Sequence, residues 1–271
     1  MTPNSLLISL NALEADALGG VTTEKLLRRF SALSKGFSLG VAKVSVRHAF
    51  RARRNLAQRP FENVSELWYP PAEHVNRGRL NEERSPLFYA SDSHQAAIWE
   101  LKPNRGDVIT VLEVRLKKAS HHVQAIVIGD LSHINRARKP ILQKGTFIPP
   151  DAFRKRIGIE KYEKSVVIDR KIAGWFASDS DYLYPLTIAI SRSFFAIPGV
   201  TGIVYPSVAW GGFFNLAMLP TAADQHMEAV RAFSIAIDNP HAMIGQSGGV
   251  WTSRSSSISA DGTIQWEANV K

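Results

Sequence analysis

A chain of 271 residues with 45% hydrophobic side chains can bury a substantial core, so a globular protein is expected rather than a disordered or fibrous one. The absence of cysteine excludes a disulfide framework and any zinc or iron–sulfur site built on thiolates. With 33 Lys and Arg against 24 Asp and Glu the net charge is +9, which favours anionic partners without choosing among nucleic acid, a phosphate-bearing metabolite and an acidic protein.

In chain order, the first 20 residues carry no Lys or Arg before Lys25 and so lack the basic opening of a signal peptide. No apolar run reaches membrane-spanning length, and a cytoplasmic location is expected. Residues 5 to 18 have helical apolar spacing, with Leu6, Leu7, Leu10 and Leu13 on one side. A second helix in "TTEKLLRRFSALSKG" starts at a Thr cap and stops at Gly36. "VSVRHAFRAR" alternates as a strand ending in an Arg cluster, while "PFENVSELWYPP" and "NRGRLNEERSP" read as loops. "LFYA" is a strand, and Asp92 followed by Gln95 predicts a capping box opening a helix that carries Glu100 near its end. "DVITVLEVRL" alternates, with "HVQAIVIGDL" as its expected antiparallel neighbour.

Further on, 160 to 177 is expected to be helical, and "YPLTIAISRSFFAI" opens a helix at Pro185. "GIVYPS", "GGFFNLAML" and "VRAFSIAI" read as strands, and Asp261-Gly262 as a two-residue hairpin. Strands and helices mix without regular βαβ alternation, which predicts an α+β fold. Three parts are expected: a helical extension over 1–44, a main domain over 45–235 and a β-hairpin extension over 236–271.

Nucleotide motifs of the G-x-x-x-x-G-K-[ST] and G-x-G-x-x-G types are absent, as is a G-x-S-x-G elbow. His121, His122 and His133 lack a ligand spacing and read as surface or loop residues, so no metal site is expected. The basic clusters at 51–54, 136–139 and 154–156 read as solvated surface. What stands out is Glu100, a carboxylate among Ala96, Ala97, Ile98, Trp99 and Leu101, because an unpaired buried carboxylate is costly. Arg51, Arg53, Arg79, Tyr89, Ser91 and Ser207 likewise lie at the ends of predicted elements, where sites are commonly assembled. Taken singly, each has an ordinary explanation as loop charge, core ring, cap or turn residue. By themselves they support an anion-binding enzyme and no more.

At these residues the chain resembles the RES-domain proteins, named for an Arg, a Glu and a Ser. The resemblance lies in "FRAR" (50–53), "YPP" (69–71), "GRLN" (78–81), "LFYASDSHQAAIWEL" (87–101), "YPLTIAI" (184–190) and "GIVYPS" (202–207), in that order. It covers roughly 46 to 220; the first 44 residues and the tail fall outside it. The resemblance implies a toxin of a bacterial toxin–antitoxin pair with an ADP-ribosyltransferase-like mixed sheet and flanking helices. It implies NAD+ as substrate rather than cofactor, cleaved by hydrolysis or phosphorolysis, with ADP-ribosyl transfer to a macromolecule as the alternative. Glu100, Arg51 and Ser207 would then be catalytic, and Arg79, Tyr89, Arg53, Ser91 and Asn81 would bind substrate.

Those residue types suit that chemistry. Two guanidinium forks meet a pyrophosphate bidentately, a tyrosine ring can stack on nicotinamide, and a carboxylate can stabilise an oxocarbenium-like ribose. Ser207 has no adjacent base and is read as a hydrogen-bonding group rather than a nucleophile. Expected partners are an antitoxin protein or a second copy of the chain, but no membrane. A nucleic-acid-binding module rests on charge alone and ranks below the enzyme.

Overall fold

The computed structural model describes residues 2–35, 40–55, 59–129, 150–209, 212–242 and 246–267. His133, the 136–139 basic cluster and the expected helix stop at Gly36 lie outside them. The chain opens with helices α1 (Pro3–Leu18) and α2 (Thr23–Ser34). Thr2 caps α1, its Oγ1 accepting the Ser5 N–H at 3.2 Å, whereas Thr22 occupies the α2 cap position without a side-chain bond. Leu6, Leu10, Leu13 and Ala17 form the buried stripe of α1, with Leu26 and Phe30 buried on α2. Leu7, expected on the buried side, lies one step around the helix and is 40% exposed.

The sheet is built from β1 (Val41–Val44), β2 (Ala49–Arg54), β3 (Phe88–Ser91), β4 (Val108–Leu116) and β5 (Val123–Val127). It continues with β6 (Gly202–Pro206), β7 (Phe214–Met218), β8 (Met227–Ile237), β9 (Gly249–Ile258) and β10 (Ile264–Trp266). Between the strands lie α3 (Val64–Leu67), α4 (His94–Trp99), α5 (Pro150–Ile157), α6 (Ile159–Phe176), α7 (Tyr184–Phe195) and α8 (Pro220–His226). The strand order is β1-β5-β6-β7-β3-β2-β4-β8-β9-β10, antiparallel throughout except for the parallel β5–β6 pair. The fold is thus α+β with a mixed sheet, as expected.

Residues alternating along each strand separate two faces. The inner face carries Val44, Ala49, Phe88, Leu112, Val114, Ala125, Val204, Leu216, Ala232 and Ile264 into one cluster, so the sheet wraps around a shared interior. On the outer face, α1, α2, α6 and α7 cover Ile126, Ile203 and Ala217. Ile98 of α4 covers Ile109 and Val111 of β4 together with Ile235 of β8. The two outer groups leave a gap over β3, and the site lies there.

Several local expectations are corrected. The stretch read as one strand at "VSVRHAFRAR" breaks after Val44, because β1 pairs with β5 while β2 pairs with β3 and β4. β5 is not the neighbour of β4; β2 and β8 hold both edges of β4. "PFENVSELWYPP" contains α3, opened by a capping box in which the Asn63 side chain accepts the Ser65 N–H and Glu66 accepts the Asn63 N–H. The 261–262 hairpin is longer than two residues: Ser259 N–H bonds Thr263, the Gly262 N–H donates back to Ser259, and Gly262 takes φ +86. Among the described residues no helix is long and apolar enough to cross a membrane.

Candidate active site

β2 and β3 share a single registered pair, Phe50↔Ser91, and then part. A pocket of about 240 Å³ sits at this fork, lined by outward-facing Tyr89 and Ser91 of β3, Tyr205 of β6 and Asn215 of β7. Arg51 points from the inner face and reaches through the fork. Its Nε donates to the carbonyls of Leu67 (2.8 Å) and Trp68 (3.0 Å), and its Nη1 to the Tyr89 carbonyl (3.1 Å). Burial, with Arg53 alongside, pulls its pKa down to about 10, so the guanidinium remains charged at neutral pH.

α4 supplies the carboxylate. The expected Asp92 cap does not form, because Asp92 Oδ1 accepts the Phe214 N–H at 3.0 Å and ties the end of β3 to β7; Ser93 holds the cap position. Ala96, Ala97 and Ile98 bury the short helix, and Glu100 stands at its C-cap, facing the pocket. One carboxylate oxygen collects four donors of the described residues. Oε1 accepts from Ser207 Oγ (2.6 Å), Asn215 Nδ2 (2.7 Å), Val208 N (3.1 Å) and Ala209 N (3.5 Å). Among the described residues Oε2 takes no hydrogen bond. A carboxylate in an apolar turn is tolerated because half of it is satisfied by the β6–β7 connection and half faces the pocket.

"GRLN" forms a rigid corner. Gly78 N–H donates to the Asn81 carbonyl at 2.9 Å, and the Asn81 amide donates to Asn76 and Glu82. Asn81 Oδ1 accepts the Tyr89 hydroxyl at 2.7 Å, and a side chain on residue 78 would place its Cβ 2.6 Å from that oxygen. From α7, Thr187 and Ser191 donate to the carbonyls of Arg79 (2.6 Å) and Leu80 (2.7 Å). The helix beginning "YPLTIAI" thereby holds the loop of the second arginine. The Arg79 guanidinium lies over the Tyr184 ring at 5.6 Å, and its Nη1 donates to the carbonyls of Phe176 and Ser178 at the end of α6. Burial pushes the phenol pKa of Tyr89 and Tyr205 up, so both stay protonated.

Arg51, Arg79, Tyr89, Ser91 and Glu100 line one pocket. Asn81 and Ser207 stand behind it, holding Tyr89 and Glu100. Arg53 turns away: it bonds the Glu66 carbonyl and lies over the Phe61 ring at 5.5 Å. Ser91 lines the wall, but its hydroxyl donates to the Phe214 carbonyl at 3.0 Å. Sequence reasoning missed Asn215, Tyr205, Tyr184, Asp179 and Lys102. Asn215 carries the same signal as Glu100, a polar residue inside an apolar run, here "FFNLAML"; Tyr184 and Tyr205 lie inside the "YPLTIAI" and "GIVYPS" motifs, whereas Asp179 and Lys102 are single residues without a pattern. Among the described residues no three His, Asp or Glu side chains stand together as a metal site requires.

A protein-family model described as the RES domain matches residues 48–238. No curated protein matches the chain. Among solved structures, the crystal structure of the M. tuberculosis MbcT–MbcA toxin–antitoxin complex contains a similar chain at 11% identity. The match covers 76% of this chain and 90% of that one with a TM-score of 0.36, a remote likeness. With 48–238 matched, and the arginines, glutamate and serine of that span gathered at the fork of the sheet, the chain belongs to the RES-domain family.

Proposed function

We propose that this chain is an NAD+-consuming, toxin-type enzyme that cleaves the bond between nicotinamide and ribose. The observation that carries the reading is Glu100: four donors orient one oxygen, and the other is presented to a pocket flanked by two guanidinium groups and Tyr89. In this reading the arginines hold the diphosphate and Tyr89 stacks on the nicotinamide. As the C1′–N bond breaks, its electron pair leaves with nicotinamide, which departs as a neutral ring. Positive charge grows on the ribose, where the carboxylate stabilises it, and an oxygen of water or phosphate then bonds to C1′. Water yields ADP-ribose and a proton; phosphate yields ADP-ribose 1-phosphate. Ser207 acts on Glu100 rather than on substrate.

Family membership also brings an antitoxin as the proposed partner. The test is release of nicotinamide from NAD+ by purified protein, with and without phosphate. No release under either condition sinks the proposal. Radiolabel from the adenylate half of NAD+ remaining on a macromolecule would replace it with ADP-ribosyl transfer.

A further inference from the structure

α4 ends in a left-handed turn at Lys102, with φ +47 and its N–H donating to the Trp99 carbonyl at 2.9 Å. Glycine is the usual residue at such a helix stop because a Cβ strains it. A lysine there calls for a reason in its side chain. That side chain lines the pocket two residues beyond Glu100, and its Nζ meets Asp179 Oδ1 at 2.7 Å. Asp179 also lines the pocket, on the segment whose Ser178 carbonyl holds Arg79. Lys102 and Asp179 are 70% and 62% exposed, so their ion pair is weak and easily exchanged for another anion.

We infer that Lys102 is a third cationic ligand for the diphosphate of the dinucleotide, with the Asp179 carboxylate standing where a phosphate oxygen would. The inference rests on the NAD+ reading and extends it to a residue outside the quoted family motifs. The Asp179 hydrogen bond pushes the Lys102 ammonium pKa up, while the charge of Arg79 works against it, so two cations face one space. Asp179, paired with Lys102, and Asp181, whose charge also acts on it, are the anions now facing that side; two cations around one pocket favour a doubly charged diphosphate that can reach both.

The experiment measures binding rather than turnover: calorimetry of ADP-ribose and of nicotinamide riboside, which has no phosphate, with the full chain. Lys102→Gly keeps the backbone turn and removes the ammonium; Lys102→Met keeps the apolar stem. Both are expected to raise the ADP-ribose Kd about tenfold and to bind nicotinamide riboside as the wild type does. Asp179→Asn is expected to tighten ADP-ribose binding. Wild-type affinity for ADP-ribose in both Lys102 variants, or no binding of ADP-ribose by the wild type, would overturn the inference; an unchanged Asp179→Asn would overturn the stand-in role. A wild type that binds ADP-ribose but releases no nicotinamide defeats the proposed reaction and leaves the diphosphate site standing.

Discussion

Glu100→Gln separates charge from geometry at the centre of the site. The four hydrogen bonds that Glu100 accepts among the described residues all fall on Oε1, so a glutamine can set its carbonyl oxygen there and turn its amide to the pocket. The donors keep their acceptor, and what is lost is the strengthening that a charged acceptor gives, about 1–2 kcal/mol. For a chain of this size that lowers the melting temperature by a few degrees. Glu100→Ala instead removes the acceptor shared by the Asn215 amide, the Ser207 hydroxyl and the Val208 and Ala209 N–H groups, at about 3–5 kcal/mol, a large part of a typical total stability. On activity the two should look alike. Removing a preorganised charge from a developing cation costs on the order of 10³-fold in rate. Nicotinamide release and thermal melts on the two variants are the assays. A Glu100→Gln enzyme retaining more than about a tenth of the wild-type rate would refute the role of the charge. One that melts as low as Glu100→Ala would refute the account of Oε1.

Arg79→Lys should raise the KM for NAD+ by roughly tenfold, since one ammonium cannot bond both the Phe176 and Ser178 carbonyls, lie over Tyr184 and still offer a fork to phosphate; an unchanged KM would make Arg79 a purely structural residue. Deleting 1–44 removes Leu6, Leu10, Leu13, Leu26 and Phe30, whose burial stabilises by on the order of 10 kcal/mol, so the truncated chain should aggregate or unfold in sedimentation and circular dichroism rather than remain active. Glu113, its side chain 3% exposed, would be pushed up by burial alone, but hydrogen bonds from His48 and Arg231 outweigh this and hold its pKa below the ordinary carboxylate value. Its contribution to stability is thus complete above about pH 4.3 and fades as pH falls through the lowered folded value, and Glu113→Gln should flatten the urea midpoint against pH in that acid range.

Local signals in the sequence carried over well where one element decided the outcome. Alternation found β4, Pro185 opened α7, and Gly262 turned the last hairpin. Pairing between distant strands was not legible: β5 follows β4 closely in sequence yet is separated from it in the sheet by four strands, because β6 and β1 take its edges. The Asp92 cap failed for a related reason, since a backbone N–H from β7, 122 residues on, takes the carboxylate. Within the site, Glu100 was legible because its neighbours made its charge anomalous. Lys102 and Asp179 sit in polar surroundings where one more charge carries no signal, and only the fold brings them together.

The gathering of donors on Glu100 Oε1 also orders events during synthesis. Arg51, Arg79, Tyr89 and Glu100 leave the ribosome early, but Ser207 and Asn215 arrive more than 100 residues after Glu100. β7, which carries Asn215, is also the strand that joins β3 to β6, so the wall of the pocket closes with the same segment that orients the carboxylate. Contacts this distant along the chain form late in folding. A prematurely terminated product ending before Asn215 would hold most of the residues of the site in an unassembled state, and the cell making it would meet the finished pocket only once translation has passed β7.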